Sequence, residues 1–581
     1  MTRALPLICC AATVGILLLI VGRDYPLAGH DFAYFVPRLL DTDLHLRLNG
    51  LGVQWYTPSF GGGLPAFANP QHMQYSPLQA LLFATNPWFA VAATIAIATG
   101  VGYWSMYMLL SQTLGLAPSA SIMGAVGLAA NGFYIEHAIV GHVGFLLFPL
   151  VATMLHALTR PQRQPIENAC IIALCAALML HQGGALILVL CSGTLVLGLL
   201  VLQVGGRPAI QWASIVGILA RALPLTIGLC ASKIVAVQAL MGRFPRERFD
   251  SYPIGFGHAL FGLGSQLAGG LTILPSLIAG GSLPQRLDDA LIWATGAGVH
   301  LWEIDTALSP VVTLTLVAGA VLGGLRLWRH GVQRPSPATA LAIAGLAVMT
   351  WITIETTLAK GVLYPWLKSL PVLRSMHVNH RVASVLILPL TIAAALLFDR
   401  WQRTARRSLV NLAVAIAVAA PLVYLTLPDY VHRRTFDVSA AVRVHERIRA
   451  GETFPVLRTD LVTDDRAIAE NASSQLVYEP LFGYDNEYFT PKVREGAITL
   501  ERDGALNLTN ASSLLFPELN GLEPFDLIRA TERDDLERFA ARHQPDWKIP
   551  AMFGWLNAAA VLTLTFCAGV LLASSIRNRG R

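Results

Sequence analysis

Apolar runs long enough to cross a bilayer recur along nearly the whole chain. A transmembrane helix needs about 20 mostly apolar residues, because the hydrocarbon core of a bilayer is about 30 Å thick. The pattern therefore predicts an all-α polytopic membrane protein with about twelve spans. These spans lie near residues 4–22, 88–111, 117–135, 140–158, 167–183, 185–203, 212–240, 309–327, 338–357, 382–398, 408–427 and 550–575.

Clusters of arginine give the predicted spans an orientation. With twelve alternating spans, the arginine-rich short loops and both termini fall on one side, which the positive-inside rule identifies as cytoplasmic. Asn131-Gly132 interrupts the third span, but omitting that span would move Arg160 and Arg163 to the opposite side. Three long segments remain on the outer face, at residues 23–87, 241–308 and 428–549.

Acidic residues are concentrated in the last of these outer segments. Of the 36 Asp and Glu residues, 22 lie between Pro428 and Pro550. This shift in composition predicts a soluble domain at 428–549 that is inserted before the last span. We therefore divide the chain into a transmembrane domain at 1–427, this outer domain, and a final helix with a cytoplasmic tail at 550–581.

The outer domain combines helix and strand patterns, which predicts a small α/β fold. Asp503-Gly504 is typical of a hairpin turn, and Thr531-x-x-Asp534 is typical of a capping box that opens a helix. The predicted elements are a helix at 439–450, strands at 454–458, 475–478, 497–501 and 505–508, and a helix that extends to about residue 542.

Composition excludes several classes of protein. Because 54% of the residues are hydrophobic and only 13% are charged, a soluble enzyme and a disordered chain are both excluded. The net charge of +6 does not indicate a nucleic-acid partner, and the seven cysteines lie in apolar runs without the spacing of a zinc site. The abundance of Arg, Ala and Gly favours a bacterial source, and hence a bacterial inner membrane with a periplasmic outer face.

The first outer loop contains the most distinctive sequence of the chain. Residues 29–38 read Gly-His-Asp-Phe-Ala-Tyr-Phe-Val-Pro-Arg, and an aromatic stretch rich in Gly and Pro follows. This stretch contains Gln54-Trp55-Tyr56, Gly61-Gly62-Gly63, Pro65 and Asn69-Pro-Gln-His-Met-Gln-Tyr-Ser-Pro77. An acid just beyond the first span, followed by such a loop, resembles the GT-C class of membrane glycosyltransferases. Leu370-Pro371 with Arg374 and Arg381, before a late span, is similar to that class as well.

This resemblance implies a GT-C-like fold, a polyprenyl-phosphate-linked sugar as donor, and a glycan or lipid as acceptor. It also implies that Asp31 occupies the position of the catalytic carboxylate. The role is chemically compatible, because an inverting transfer needs a general base that takes the acceptor proton. Many members carry two adjacent acids where this chain has His30-Asp31, so the exact base and any divalent metal stay open. Taken alone, Asp31 could equally be a helix cap or an interfacial charge.

The leaving group of such a reaction is a lipid phosphate, which needs cations near the outer lipid boundary. Lys233 is the only lysine inside a predicted span. Because burying an ionisable residue there is costly, such a residue is by default a candidate for a functional role. Arg374 and Arg381 precede a late span on the same side. We predict that these three residues bind the donor phosphate. In the alternative, Lys233 snorkels to the interface and the arginines contact anionic headgroups.

Other residues of the outer face are candidates for substrate contacts. They are His30, Tyr34, Trp55, Tyr75 and His142. Aromatic rings can stack on sugars, but they also form interface belts, and a loop histidine is often structural. Asp41 and Asp43 form a D-x-D triplet that could bind a divalent metal or lie in a solvated turn. No other cofactor is predicted.

Two other functions remain as alternatives to a glycosyltransferase with Asp31 as general base. A ligase or polymerase of lipid-linked glycans also has many spans and an outward-facing site, but its chemistry depends on Arg and His. A secondary transporter or lipid flippase places ionisable residues at the midplane of repeated halves. The sequence contains neither a repeat nor mid-span acids that would favour transport.

Overall fold

The computed structural model describes most of the helices and most of the outer domain. The described residues are 4–160, 164–205, 210–245, 303, 305–331, 334–370, 372–376, 378–426, 434–475, 477 and 492–579. Most of the predicted outer segment at 241–308 lies outside these residues, and so does part of the strand predicted at 475–478.

Helices form most of the described chain. Several begin with proline, which has no backbone N–H. In the first turn of a helix the N–H groups have no partner within the helix, so proline loses no hydrogen bond there. The helices are α1 Leu5–Val21, α2 Phe32–Asn49, α3 Pro77–Ala84, α4 Pro87–Met108, α5 Pro118–Ala129, α6 Gly132–Val140, α7 Leu150–Thr159, α8 Pro165–His181, α9 Ala185–Gly205, α10 Trp212–Arg243, α11 Pro310–His330, α12 Pro337–Leu358, α13 Tyr364–Lys368, α14 Ile387–Gln402, α15 Arg407–Ala419, α16 Val438–Arg449, α17 Asp464–Ala467, α18 Ser512–Leu515, α19 Pro517–Asn520, α20 Arg533–Ala540 and α21 Met552–Arg579.

Eight helices within the described residues are long and apolar enough to cross a bilayer, so the chain is a multi-pass membrane protein. They are Pro87–Thr113, Ala185–Gly205, Trp212–Arg243, Pro310–His330, Pro337–Leu358, Asn379–Gln402, Arg407–Leu425 and Met552–Arg577. Each coincides with a predicted span to within a few residues. Three more predicted spans are shorter apolar helical segments, Leu5–Val21, Val143–Thr159 and Pro165–His181. The total of twelve stays a prediction.

The span predicted at 117–135 is divided in the structure. Helix α5 ends at Ala129, and the side chain of Asn131 starts α6 by accepting a hydrogen bond from the amide of Tyr134 at 3.0 Å. An asparagine at this position satisfies an amide of the first turn. The interruption in the sequence is therefore a helix boundary, and α6 ends nine residues on at Gly141, whose φ of 102° turns the chain.

The strands of the described residues are β1 Leu27–Gly29, β2 Tyr56–Thr57, β3 Leu64–Pro65, β4 Arg434–Asp437, β5 Arg458–Asp460, β6 Ala472–Ser474, β7 Gly496–Ala497, β8 Glu501–Arg502, β9 Ala505–Thr509 and β10 Leu527–Arg529. Within its described residues, the outer domain contains two three-stranded sheets with short helices, as an α/β domain would. In one sheet β5 lies between β6 and β7, and in the other β9 lies between β8 and β10.

Some predicted elements of this domain are confirmed and others need correction. The helix predicted at 439–450 is α16. Asp503-Gly504 joins β8 to β9 with φ of 52° and 74°, the signs of a type I′ hairpin turn. The strand predicted at 454–458 begins only at its last residue, Arg458. Before that residue, the amide of Val456 donates its hydrogen bond to the carbonyl of Ala540, at the end of α20. The N-cap of α20 is Glu532 without a side-chain hydrogen bond, so the predicted capping box does not form.

The outer domain is fastened to the first outer loop. Strand β4 pairs antiparallel with β1, directly before the start of α2. On α2, Arg38 lies 3.1 Å from the carboxylate of Asp464, and Asp41 forms an ion pair with Arg542. The four side chains are buried, and each charge has a partner because an unpaired buried charge costs far more than a paired one. These contacts fix the loop that carries Asp31.

Candidate active site

Asp31 lies where the first outer loop turns into α2. Its amide donates a hydrogen bond to the carbonyl of Val140 at 3.1 Å, which holds it against the end of α6. Its carboxylate does not cap α2. Instead, the carboxylate contacts Nε2 of His142 and lies 3.3 Å from Nε2 of His30. The structure thus brings together three residues that the sequence analysis selected from two separate loops.

Gly141 permits this close approach. Its left-handed backbone favours glycine, and a Cβ at this position would lie 2.7 Å from the amide nitrogen of Phe32. Any side chain here would push the end of α6 away from the start of α2. The glycine therefore sets the contact between His142 and Asp31.

The histidines determine the ionisation of Asp31. Its side chain is 15% exposed, and burial alone would raise the pKa of the carboxyl. The charge and hydrogen bond of His142, followed by the charge of His30, outweigh burial and hold the pKa of Asp31 below its usual value. The group is therefore a carboxylate at neutral pH, as a proton acceptor has to be.

A further histidine, His137 on α6, lies behind His142. The centroids of the two rings are 4.8 Å apart. Nδ1 of His137 donates a hydrogen bond to the carbonyl of Phe133 at 2.8 Å, which leaves Nε2 as an acceptor in the neutral ring. Burial, followed by the charges of His142 and Arg381, lowers the pKa of His137 well below its usual value. The ring is therefore neutral.

Arg381 is held beside these histidines by Glu303, which the sequence analysis did not assign to the site. The guanidinium donates to the two carboxylate oxygens at 2.7 and 2.6 Å, a bidentate pair. It also lies 5.1 Å from the ring centre of Phe145. Burial would raise the pKa of Glu303, but Arg381 and then His142 lower it well below its usual value. The only signal in the sequence was an acid in an outer segment.

A cavity of about 140 Å³ opens beside Arg381 and Phe145. Gln71 of the first outer loop, Gly184 before α9, and Ser375 contribute to its other walls. A concave site that combines a few polar groups with apolar and aromatic surface is typical of a small-molecule site. A guanidinium, an amide and an aromatic ring suit a sugar linked to a phosphate.

The other two predicted phosphate ligands do not line this cavity. Arg374 is exposed in the turn that precedes the Asn379–Gln402 span. Lys233 is buried in α10, and its Nζ donates to three carbonyls of the first outer loop, those of Phe67, Asn69 and His72, at 2.8, 2.7 and 3.0 Å. All three ammonium hydrogens are used, so Lys233 fastens the loop to α10 and we no longer assign it to the donor phosphate.

The predicted aromatic contacts are packed elsewhere. Tyr34 is buried, with the guanidinium carbon of Arg38 3.7 Å from its ring centre. Trp55 is also buried, and its ring centroid lies 4.7 Å from that of Phe553 at the start of α21. Tyr75 donates its hydroxyl hydrogen to a backbone carbonyl of the same loop at 3.0 Å. None of the three lines the cavity, and neither does Asp31, His30 or His142, so the predicted substrate contacts stay predictions.

The D-x-D triplet lies on α2 and does not fit a divalent metal. Residues two apart on a helix point in nearly opposite directions. Asp41 pairs with Arg542, whereas Asp43 accepts a hydrogen bond from Nε of Arg47 at 2.9 Å. In the described parts of the chain, no group of three or more His, Cys, Asp or Glu residues is arranged to hold a metal ion. We therefore derive no step from a metal.

Comparison with known proteins gives similarity at the level of structure. No protein-family model matches the chain, and no curated protein matches it. The chain is similar to the arabinofuranosyltransferase AftD from Mycobacteria, with 15% identity over 77% of this chain and a TM-score of 0.42. It covers only 29% of the AftD chain. A mutant form of AftD matches at 15% identity over 80% of this chain and 32% of that one, with a TM-score of 0.43.

A further similar structure is ArnT from Cupriavidus metallidurans bound to undecaprenyl phosphate. The identity is 14%, the match covers 83% of this chain and 88% of that chain, and the TM-score is 0.40. At TM-scores below 0.5 the similarity decides nothing further, so we base the function on the geometry of the site.

Proposed function

We propose that this protein transfers a sugar from a polyprenyl-phosphate-linked donor to an acceptor glycan or lipid. The observation that carries the proposal is the short connection between the partly buried carboxylate of Asp31 and the Arg381 cavity. Asp31 contacts His142, whose ring centroid lies 5.7 Å from that of Phe145 in the cavity wall. A base and a phosphate-binding cation would then lie on two sides of one reaction centre.

The proposed step is a displacement at the anomeric carbon of the donor. The acceptor hydroxyl oxygen forms a bond to this carbon as the bond from the carbon to the phosphate oxygen breaks. The hydroxyl proton passes to the Asp31 carboxylate, and the polyprenyl phosphate leaves with the bonding electron pair. Arg381, with the exposed Arg374 that directly precedes Ser375 of the cavity wall, offsets the negative charge of the leaving group. Glu303 keeps Arg381 oriented and does not act on the substrate.

The proposed site faces away from the cytoplasm. In a bacterial inner membrane with both termini on the cytoplasmic side, the first outer loop and the outer domain lie in the periplasm. The acceptor would dock beneath the outer domain, because that domain is bound to the helix that begins directly after Asp31.

Release of the lipid phosphate tests this proposal. The full-length protein in lipid nanodiscs is incubated with a panel of polyprenyl-phosphate sugars and acceptors, and free polyprenyl phosphate is measured by mass spectrometry. We expect turnover of at least one donor, and a decrease of about 10²- to 10⁴-fold in Asp31→Asn, which keeps the side-chain size but removes the base. Asp24→Asn is the matched control, because this carboxylate is in the same loop but pairs with Arg434 at 3.1 Å.

The same variants separate the alternatives. A ligase or polymerase that depends on Arg and His would stay active in Asp31→Asn and would be inactivated by replacement of His142 or Arg381. A transporter or flippase would release no lipid phosphate from any donor, yet would move labelled lipid across a vesicle membrane. Either pattern contradicts the proposed sugar transfer.

A further inference from the structure

Among the residues that the structure describes, three polar side chains line the cavity, those of Gln71, Ser375 and Arg381. Two of them are engaged within the protein. The hydroxyl of Ser375 donates to the carbonyl of Val372 at 2.8 Å. The guanidinium of Arg381 donates to Glu303. In contrast, Oε1 of Gln71 is buried and has no hydrogen-bond partner in the described part of the chain. Because buried polar atoms are nearly always hydrogen-bonded, this amide calls for an explanation.

The backbone holds Gln71 at the tip of a tight turn. The amide of His72 donates to the carbonyl of Asn69 at 3.0 Å, which closes a β-turn. Pro70 and Gln71 occupy its two central positions, and both line the cavity. The side-chain oxygen of Asn69 also accepts from the amide of Gln71 at 2.8 Å, as in an Asx turn. The turn therefore determines where the side chain of Gln71 starts.

Two contacts hold this turn against its surroundings. The side-chain nitrogen of Asn69 donates to the hydroxyl of Tyr34, in the first turn of α2, at 3.3 Å. Tyr34 follows Asp31 by three residues, so the turn is tied to the helix that begins next to the proposed base. On the other side, a Cβ at Gly183 would lie 3.0 Å from the Cα of Gln71, so the two backbones pack closely. Gln71 is therefore held in place relative to both Asp31 and the cavity.

The side chain of Gln71 can turn either of its polar atoms toward the cavity. The last torsion of a glutamine is broad and roughly two-fold, so half a rotation exchanges the oxygen and the nitrogen at little cost. The oxygen accepts hydrogen bonds and the nitrogen donates them. A hydroxyl group both donates and accepts, so the amide suits a hydroxyl in either orientation.

We propose that Gln71 is a specificity-determining residue whose side-chain amide hydrogen-bonds a hydroxyl group of the donor sugar. The inference rests on the proposed function, because it takes the Arg381 cavity as the donor site. Arg381 then binds the phosphate and Gln71 recognises the sugar, since a guanidinium pairs best with an anion, whereas a neutral amide pairs with a hydroxyl. A donor without this hydroxyl would leave the amide unpaired, and a site built in this way rejects such an analogue.

Binding of lipids with and without the sugar tests this assignment. The full-length protein in nanodiscs is titrated with polyprenyl-phosphate sugars and with bare polyprenyl phosphate, and the dissociation constants are measured by native mass spectrometry. Gln71→Met keeps the length of the side chain but removes the amide. We expect it to weaken binding of the sugar-linked lipid by about tenfold, the equivalent of one hydrogen bond, and to leave binding of the bare lipid unchanged. Arg381→Met should weaken binding of both lipids, because both carry the phosphate.

Gln79→Met is the matched control. Gln79 on α3 is buried, and its Oε1 also lacks a partner among the described residues, but it does not line the cavity. This variant should therefore bind both lipids as the wild type does. Donors that each lack one hydroxyl then identify the group that Gln71 contacts. One of them should bind the wild type about tenfold more weakly than the complete donor, yet bind Gln71→Met as tightly as the complete donor does.

Several results would overturn the assignment. They are a wild type that binds both lipids equally tightly, an equal loss of both in Gln71→Met, and no loss of either. Gln71→Asn, which keeps the amide but withdraws it by one methylene, should also weaken binding of the sugar-linked lipid, and it decides the question if Gln71→Met does not fold. If the wild type binds a sugar-linked lipid but releases no lipid phosphate, the proposed function fails, and the binding comparison still decides the role of Gln71.

Discussion

The ion pair between Arg542 and Asp41 is the contact whose removal should most loosen the outer domain. Both side chains are only 4% exposed. Arg542 also donates to the hydroxyl of Ser59 at 2.5 Å and to the carbonyl of Phe454 at 2.7 Å. Removing one partner of a buried pair costs about 3–5 kcal/mol, because the remaining charge stays buried without a counterion. We expect Arg542→Met to lower the free energy of opening of the outer domain by this amount.

Hydrogen exchange followed by mass spectrometry measures this free energy locally, in the full-length protein in nanodiscs. Amides that exchange only when the domain opens report its opening equilibrium. A loss of about 3–5 kcal/mol should speed the exchange of the amides in β5 and β9 by about two to three and a half orders of magnitude. Adding Asp41→Asn to Arg542→Met should restore part of the protection, because neither charge is then left unpaired.

An exposed ion pair of the same domain is the control. Arg538 and Asp546 are 2.5 Å apart, but their side chains are 46% and 79% exposed. Surface pairs contribute about 0–1 kcal/mol, so Arg538→Met should change exchange by less than about tenfold. Equally small effects of Arg538→Met and Arg542→Met would refute the view that burial makes the Arg542 pair important.

Three further predictions concern the first outer loop. Gly29→Ala should abolish most sugar transfer, because the added Cβ would overlap the carbonyls of Ile139 and Val140 and shift the start of α2. Gly15→Ala is the control: a Cβ at this position has no neighbouring atom within 4 Å, so this variant should retain wild-type turnover. Lys233→Met should lower the thermal unfolding midpoint, since three buried carbonyls lose their donor, but should leave the KM for the donor unchanged. A chelator should leave turnover unchanged because the two aspartates of the α2 triplet diverge; a loss that Mg²⁺ reverses would contradict this.

Local features of the sequence determined the membrane architecture. A span has to satisfy its backbone hydrogen bonds within one helix, so an apolar run of sufficient length predicts the helix without knowledge of its neighbours. Eight spans could be located in this way in the part of the chain that the structure describes. The Asp503-Gly504 turn and α16 were equally predictable, because a turn and an amphipathic helix depend on residues that are close in sequence.

The partners of charged residues could not be predicted in the same way. The sequence alone selected Asp31, His142 and Arg381, but it gave no reason to place Glu303 against Arg381. It also assigned Lys233 to the donor phosphate, whereas the packing of α10 against the first outer loop gives this lysine three carbonyl partners.

The chain by itself thus determined which segments cross the membrane and which loops carry candidate chemistry, because apolar length and turn chemistry are local properties. The tertiary structure alone decided which of the candidate side chains meet in a site and which serve packing. The reason is that a buried polar group takes whichever partner the fold brings within hydrogen-bond distance, and that partner often lies hundreds of residues away, as Arg542 does from Asp41.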